Sequence, residues 1–237
     1  MTKSIAVVGA GPGLGRSIAR RYAREGYTVA LVARREGPLE QITKELNGDG
    51  AAVHTIVADV ADVDGMPGLA GRIRDAVGEV DVLYYGAAPD GFGPVLELSV
   101  ERVQELMPLG VHALVALVRE FLPGMVARED GAILSAQGAS AMYGNPNIAG
   151  GVILAAQRNY LQALHAAVAD NGVYVGGLYI GAAIEHTPFH ARMAEAKAAG
   201  EPVPDIPAVD PDHLADLLWT MHTSTRVPEA GYPRLLQ

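Results

Sequence analysis

Three glycines near the start of the chain have the spacing of a phosphate-binding turn. Gly9, Gly13 and Gly15 follow the apolar run Ser4–Val8 in the pattern G-x-x-x-G-x-G. A pyrophosphate needs backbone N–H donors at a helix N-terminus and no Cβ atom in its path. We therefore predict that this turn binds a dinucleotide. The residues assigned to the turn are Gly9, Gly11, Pro12, Gly13, Leu14 and Gly15.

Two arginines at the end of the second predicted strand indicate which dinucleotide binds. Sites specific for NAD place Asp or Glu there, where the carboxylate holds the ribose 2′-hydroxyl. In this chain the strand ends with Arg34 and Arg35 instead. A guanidinium pairs with a 2′-phosphate, which a carboxylate repels. The sequence therefore favours NADP(H) over NAD(H), and both arginines are assigned to the cofactor site.

Further motifs, in order and spacing, resemble those of the short-chain dehydrogenase/reductase family over about residues 3–225. They are Asp59-Val60, the run DVLYYGAA at 81–88, GAIL at 131–134, and Ile180-Gly181 followed by Thr187-Pro188. The resemblance implies an oxidoreductase that acts on a small organic substrate. It also implies seven more cofactor-binding residues: Asp59, Val60, Gly86, Ala87, Ala88, Gly181 and Ile184.

The residues that perform proton transfer in that family are absent at the aligned positions. In the family a Tyr-x-x-x-Lys pair works with a Ser and an Asn. The alignment places these four at Gly150 or Gly151 (Tyr), Leu154 or Ala155 (Lys), Gln137 or Gly138 (Ser) and Gly110 (Asn). The chain is therefore identified as an atypical member that lacks the tetrad.

Two other side chains are candidates to act in their place. Tyr143 follows the fifth predicted strand and is a candidate proton donor, while Gln137 is a candidate to orient a substrate carbonyl. Residues 182–210 are expected to form a substrate loop or lid. This segment contains Glu185, His186 and His190, for which solvation in a loop is the simpler explanation.

Three functions stay open at this point, because fold alone does not decide among them. The first is an NADP(H)-dependent oxidoreductase with a divergent catalytic site, for which imines and electron-poor double bonds are less demanding substrates than ketones. The second is a catalytically inactive dinucleotide-binding regulator or subunit. The third is a non-redox enzyme, a cyclase or dehydratase, that reuses the pocket.

The elements that must position these residues alternate between short apolar runs and longer helical ones. The predicted strands are Ser4–Val8, Thr28–Ala33, Ala52–Ala58, Val80–Tyr85, Ala132–Ala136 and Val173–Ile180. The predicted helices are Leu14–Glu25, Pro38–Leu46, Met66–Val77, Val100–Val126, Gly151–Ala169 and Pro211–His222. Pro108 is expected either to interrupt the fourth helix or to begin its second part. This alternation predicts an α/β Rossmann fold, a doubly wound parallel sheet with helices on both faces, as a single domain over residues 1–237.

Composition excludes several classes of function. A net charge of −9 argues against a nucleic-acid partner, which needs a basic face. The chain has no cysteine, its histidines are scattered, and no metal site is predicted. The apolar run at residues 109–118 is shorter than the roughly 18 residues of a membrane span, so a cytoplasmic protein without a membrane partner is expected. The family resemblance implies a homodimer or homotetramer.

Overall fold

The computed structural model describes residues 2–234, and its centre is a seven-stranded parallel sheet. The strands lie in the order β3-β2-β1-β4-β5-β6-β9. Their bounds are Ser4–Val8 (β1), Thr28–Ala33 (β2), Val53–Val57 (β3), Val82–Tyr85 (β4), Gly131–Gly138 (β5), Val173–Ile180 (β6) and Glu229–Tyr232 (β9). A separate two-stranded parallel ladder joins Ala183–Ile184 (β7) to Ala208–Val209 (β8). The predicted Rossmann fold is confirmed.

Eight α-helices connect these strands in the part of the chain that the structure describes. They are Leu14–Arg24 (α1), Glu36–Gly48 (α2), Met66–Val77 (α3), Val100–Met107 (α4), Ala113–Ala127 (α5), Gly151–Val168 (α6), Pro188–Ala198 (α7) and Pro211–Thr220 (α8). The chain order turns around between β1 and β4, since β2 and β3 lie on one side of that pair and β5 and β6 on the other. In open parallel sheets, ligands bind at the carboxyl ends of strands flanking such a switch point.

The sheet is covered on both faces, which explains why its central strands are apolar throughout. All residues of β1, β4 and β6 are buried. On one face Ile18 of α1 and Leu214 of α8 belong to the core. On the other face Leu69 of α3, Leu117 of α5 and Leu161 of α6 do so. Parallel strands that are covered on both faces do not alternate between apolar and polar residues.

The fourth predicted helix is continuous through Pro108 but changes its winding there. Residues Pro108–His112 form a π-helical turn between α4 and α5. Proline has no N–H for the intrahelical ladder, and such widened turns absorb the defect. The stretch Val100–Ala127 is long and apolar enough to cross a membrane by length and composition, with 39% of its most apolar window buried. The apolar run at residues 109–118 lies within this helix.

The segment expected to be a substrate loop is more ordered than the sequence indicates. It contains β7, α7 and β8, and only its middle part is irregular. Thr187 caps α7, its hydroxyl accepting a hydrogen bond from the His190 backbone N–H, and Pro188 occupies the first helical position. The helix has no fully buried residue, and Phe189, Met193 and Ala196 give it only a short, half-buried apolar stripe.

A half-buried histidine joins α1 to the turn after α8. The Tyr22 hydroxyl and His222 Nδ1 lie 2.9 Å apart and share a hydrogen bond, and the His222 ring stacks near Tyr22 and Tyr174. Burial, aided by the charge of Arg226, lowers the pKa of His222 from 6.5 to about 4. The imidazole is therefore neutral in the folded protein near pH 7.

We expect His222 to make stability fall in mild acid. Because its pKa is lower in the folded than in the unfolded protein, only the unfolded chain takes up this proton between pH 6.5 and about 4. The free energy of unfolding should fall in that window by at most about 1.4 kcal/mol per pH unit. Urea unfolding across pH should show this slope reduced in His222→Gln and retained in His54→Gln, which alters an exposed histidine on β3. Equal slopes in all three proteins would contradict the assignment.

Candidate active site

The glycine turn is held against the end of β4 at a distance that only glycine allows. Gly9 has a φ of +89°, and a Cβ there would lie 2.5 Å from the Ala87 nitrogen. A Cβ on Gly15 would lie 2.7 Å from the Gly9 carbonyl oxygen. No side chain caps the N-terminus of α1, and its first turn contains no acidic residue. The first N–H groups of this helix are therefore available to an anion.

A cavity of about 300 Å³ lies in front of this helix N-terminus. It is bounded by the turn, by the ends of β4, β5 and β6, and by the start of the 182–210 segment. The lining residues are Gly9, Gly11, Pro12, Gly13, Leu14, Gly15, Tyr84, Gly86, Ala88, Ala136, Gln137, Gly138, Ile180, Ala182, Ile184, Thr187 and Pro188. All six residues assigned to the turn lie on this cavity.

A second cavity of about 180 Å³ adjoins the first and shares Gly9, Gly86 and Ala88 with it. Its other lining residues are Val32, Ala33, Arg34, Ala58, Val60, Ala87 and Leu109. Arg34 thus stands at the end of β2 on the wall of this cavity. Arg35 is exposed at the N-terminus of α2, outside the lining set. Asp59 is also outside it, and its carboxylate accepts a hydrogen bond from the Ala61 N–H.

The start of the 182–210 segment forms one wall of the larger cavity, next to the glycine turn. Ile184 and Thr187 line it, and a Cβ on Gly13 would lie 2.6 Å from the Thr187 methyl carbon. The Thr187 hydroxyl donates to the Ile184 carbonyl at 2.6 Å, which holds this corner together. Gly181 stands between two lining residues, and its N–H donates to the Tyr232 carbonyl at 2.7 Å.

Two of the positions aligned with the family's catalytic tetrad are packed too tightly for a larger side chain. A Cβ on Gly110 would lie 2.1 Å from Cγ2 of Ile153. A Cβ on Gly150 would lie 2.4 Å from the Gly91 Cα, because residues 91–95 pair with residues 146–150 through backbone hydrogen bonds. A Cβ on Gly151 would lie 3.2 Å from the Ser140 carbonyl oxygen. Neighbouring chain therefore occupies the space beside these glycines.

The catalytic candidates are placed differently from one another. Gln137 is 5% exposed and lines the larger cavity. Tyr143 follows a short 3-10 turn, is 46% exposed, and is outside the lining sets of both cavities. His186 is exposed with a φ of +65°, and Glu185 and His190 are partly buried away from the cavity lining. Within residues 2–234, no three His, Cys, Asp or Glu side chains are grouped as a metal site requires.

Sequence reasoning missed Gln157, which is 2% exposed on the inner face of α6. Its Nε2 donates to the Gly110 carbonyl at 2.5 Å, and its Oε1 accepts from Ser135 Oγ at 3.2 Å and from Gln137 Nε2. A signal for it exists in the sequence. Gln157 lies four residues from Ile153 and from Leu161, both buried, so it is a polar residue on an apolar helical stripe.

Tyr84 is the second residue that the sequence did not single out. Its side chain lines the larger cavity, and its hydroxyl occupies the space that a Cβ on Gly86 would need. Burial raises the pKa of Tyr84 above its ordinary value, so the phenol stays protonated at neutral pH. It is the one ionisable side chain among the residues that line this cavity.

Comparison with known families agrees with this architecture. The family model for short chain dehydrogenases matches residues 3–197. The chain therefore belongs to the short-chain dehydrogenase family, a family of oxidoreductases.

Individual relatives are similar over parts of the chain. A 3-oxoacyl-acyl-carrier-protein reductase of Staphylococcus aureus is 29% identical over 147 residues, which is 62% of this chain and 60% of the relative. A short chain dehydrogenase of Pseudocercospora fijiensis is 27% identical over 146 residues, 61% of this chain and 47% of its own length. Both matches cover less than two thirds of the relative's own length, and the second covers about half.

Solved structures match over nearly the whole chain. A polyketide ketoreductase of actinorhodin synthesis, crystallised with NADPH, superposes with a TM-score of 0.87 at 23% identity, covering 98% of this chain and 96% of its own. A Pseudomonas aeruginosa short-chain oxidoreductase described as having an atypical catalytic centre gives a TM-score of 0.82 at 21% identity, covering 99% and 97%. At these identities the likeness establishes the fold.

The close approach of Gly91 and Gly150 generates a prediction about stability. We expect Gly150→Ala to lower the free energy of unfolding by about 1–3 kcal/mol, because its methyl group overlaps the Gly91 Cα. Gly144→Ala is the control, since a Cβ there meets nothing within 4 Å. Urea unfolding of both variants measures the difference. If Gly150→Ala is as stable as Gly144→Ala, the claim that position 150 has no room for a methyl group is wrong.

Proposed function

We propose that the protein is an NADP(H)-dependent oxidoreductase that acts on a small organic substrate with a divergent catalytic site. The observation that carries the proposal is the continuous crevice made by the two cavities. One end meets an uncapped helix N-terminus and the other meets Arg34. The chemistry of this crevice fits a dinucleotide that carries a phosphate at each of these points.

The chain's own residues divide the work of binding. The N–H groups at the start of α1 receive the pyrophosphate, with glycines at positions 9, 13 and 15 permitting close approach. Val60 and the Gly86–Ala88 segment line the smaller cavity, which we assign to the adenosine half. Asp59, Arg35 and Gly181 remain proposed cofactor residues from the sequence pattern. When bound, the reduced nicotinamide supplies a hydride to the substrate.

The substrate end of the crevice is formed by the end of β5 and by the 182–210 segment. Gln137 and Gly138 contribute one wall, and Thr187 and Pro188 contribute the other. Beyond them the stacked rings of Phe92 and Phe189, 5.0 Å apart, join the loop after β4 to α7. We propose that this segment acts as the substrate lid. Tyr143 remains a proposed proton donor that would have to reach the substrate from outside the cavity lining.

A second function is favoured by the chemistry of the cavity wall. Its only ionisable lining residue is Tyr84, whose pKa is raised by burial, so the wall holds no group that titrates near neutral pH. A protein that binds the dinucleotide without turning it over, as a regulator or as an inactive subunit, needs no such group. Nicotinamide absorbance during incubation with carbonyl, imine and enone panels separates the two functions.

We also propose a homodimer or homotetramer formed through α5 and α6. The family commonly assembles, and Val152 on α6 is 52% exposed in the single chain. Light scattering of the purified protein should give two or four times the mass of one chain. The variant Val152→Glu should shift the protein toward monomer, because a buried unpaired charge opposes association. A monomeric wild-type protein contradicts this proposal.

The cofactor preference is tested at the end of β2. We expect Arg34→Ala to weaken NADPH binding roughly tenfold to a hundredfold and to leave NADH binding unchanged, because one charge-assisted pair with the 2′-phosphate is lost. Arg24→Ala is the matched control, since it removes an exposed arginine at the C-terminal end of α1, away from both cavities. Fluorescence titration of both nucleotides with each variant measures the effect. The NADP(H) assignment is wrong if Arg34→Ala changes both affinities alike.

A further inference from the structure

A buried group of three polar side chains lies beside the larger cavity. Ser135, Gln137 and Gln157 are 1%, 5% and 2% exposed, respectively. Gln157 Nε2 donates to the Gly110 carbonyl, while Gln137 Nε2 donates to Gln157 Oε1 and lies 3.3 Å from Ser135 Oγ. Among these three residues, only Gln137 also lines the cavity.

The backbone carbonyl of Gly110 determines how both amides are oriented. A carbonyl only accepts, so Gln157 must present its NH₂ group to Gly110. The Gln157 Oε1 then lies directly against the Gln137 amide and also accepts from Ser135 Oγ. Two amide oxygens in contact would repel each other, so Gln137 must present its own NH₂ group there. Of the four amide heteroatoms of the two glutamines, only Gln137 Oε1 is then left without a role in this network. It is buried and has no hydrogen-bond partner in the described part of the chain.

A buried acceptor without a partner is unfavourable, and a ligand that supplies a donor relieves this. The residue stands at the end of β5, at one of the two positions that the alignment assigns to the family's serine. A serine hydroxyl can donate to a carbonyl oxygen. Oriented in this way, Gln137 offers only an acceptor, so a bare ketone gains nothing from it.

We propose that the substrate is a protonated imine, or in the reverse direction the corresponding amine, whose N–H donates to Gln137 Oε1. The proposal rests on the NADP(H) oxidoreductase function and names its substrate class. An iminium ion brings both the donor that the acceptor lacks and a positive charge that the carbonyl dipole stabilises. The cavity lining contains no lysine, arginine or histidine that would repel the cation.

The reaction balances without a proton from the protein. The imine carbon accepts a hydride from the reduced nicotinamide, which forms one C–H bond and leaves oxidised NADP⁺. The π pair of the C=N bond moves onto nitrogen and neutralises its charge. The nitrogen keeps the proton that it carried, and the product is the neutral amine. A ketone would instead leave an alkoxide in need of a proton, and the aligned tyrosine and lysine positions provide none.

Binding is the first test, because it does not depend on turnover. The protein saturated with NADPH, which cannot oxidise an amine, is titrated by calorimetry with a panel of cyclic amines, such as 2-methylpyrrolidine. Each amine is paired with the ether of the same shape, such as 2-methyltetrahydrofuran. We expect the amines to bind about tenfold or more tightly than their ethers. Equal affinities across the panel overturn the proposal.

Variants of Gln137 then test whether the preference for amines over ethers comes from Gln137 Oε1. We expect Gln137→Leu to abolish the amine preference and Gln137→Glu to increase it, with unchanged NADPH affinity in both. Gln104→Leu, at an exposed position on α4, is the matched control and should retain the preference. If Gln137→Leu weakens NADPH as much as it weakens the amine, the acceptor serves the cofactor and the substrate proposal is wrong.

Turnover gives an independent result. With NADPH, 2-methyl-1-pyrroline should be reduced at least about tenfold faster than 2-methylcyclopentanone, and faster reduction of the ketone overturns the imine assignment. The two proposals fail in distinguishable ways. Loss of all NADPH binding in the wild-type titration removes the oxidoreductase function itself, whereas NADPH binding without any amine preference removes only the substrate class.

Discussion

The contact between Gly9 and the backbone at Gly86–Ala87 is the constraint on which the crevice depends. It joins the turn after β1 to the end of β4 at the point where the strand order reverses. The positive φ of Gly9 and the missing Cβ atoms bring the two chains together without a side chain between them. The N-terminus of α1 is thereby left uncapped and directed at open space, and a dinucleotide can use the partial positive charge there.

Glycine performs a different task at and beside the positions aligned with the family's catalytic tetrad. Gly91 and Gly150 let two loops pass in backbone contact, and Gly110 accommodates Ile153. These approaches occupy the volume that larger side chains would need. The proposed loss of the family's proton-transfer groups is therefore linked to packing as well as to chemistry, since the backbone around those positions has closed in.

The π-helical turn after Pro108 connects this packing to the polarity of the cavity. Two consecutive carbonyls in the turn, Leu109 and Gly110, accept hydrogen bonds from the side chains of Tyr85 and Gln157. Buried carbonyls require such donors. The Gly110 carbonyl takes the NH₂ group of Gln157, and the Gln157 carbonyl takes the NH₂ group of Gln137. The acceptor that remains without a partner belongs to Gln137, a cavity-lining residue. The π-helical turn thus influences how the amide of a cavity-lining residue is oriented.

The local pattern of the chain was enough to predict most of the fold. The bounds of β1, β2 and β6 agree with the predicted strands to the residue, and α3 agrees likewise. Each is bounded by turn residues and carries an uninterrupted apolar run or a helical stripe, which are properties of neighbouring residues. Helix α7 was missed because its apolar stripe is short and only half-buried, and the segment around it is rich in proline.

The sequence by itself determined the glycine turn, the class of fold and the two arginines after β2. These features depend on residue types and on spacing between residues that are close along the chain. Only the tertiary structure decided that Arg34 reaches the cavity while Arg35 lies outside its lining. Only the tertiary structure decided that Gln157 meets Gly110, residues far apart along the chain, and so oriented Gln137. Hydrogen-bond direction in a buried network depends on which acceptor lies at its end, and packing between distant segments supplies that acceptor.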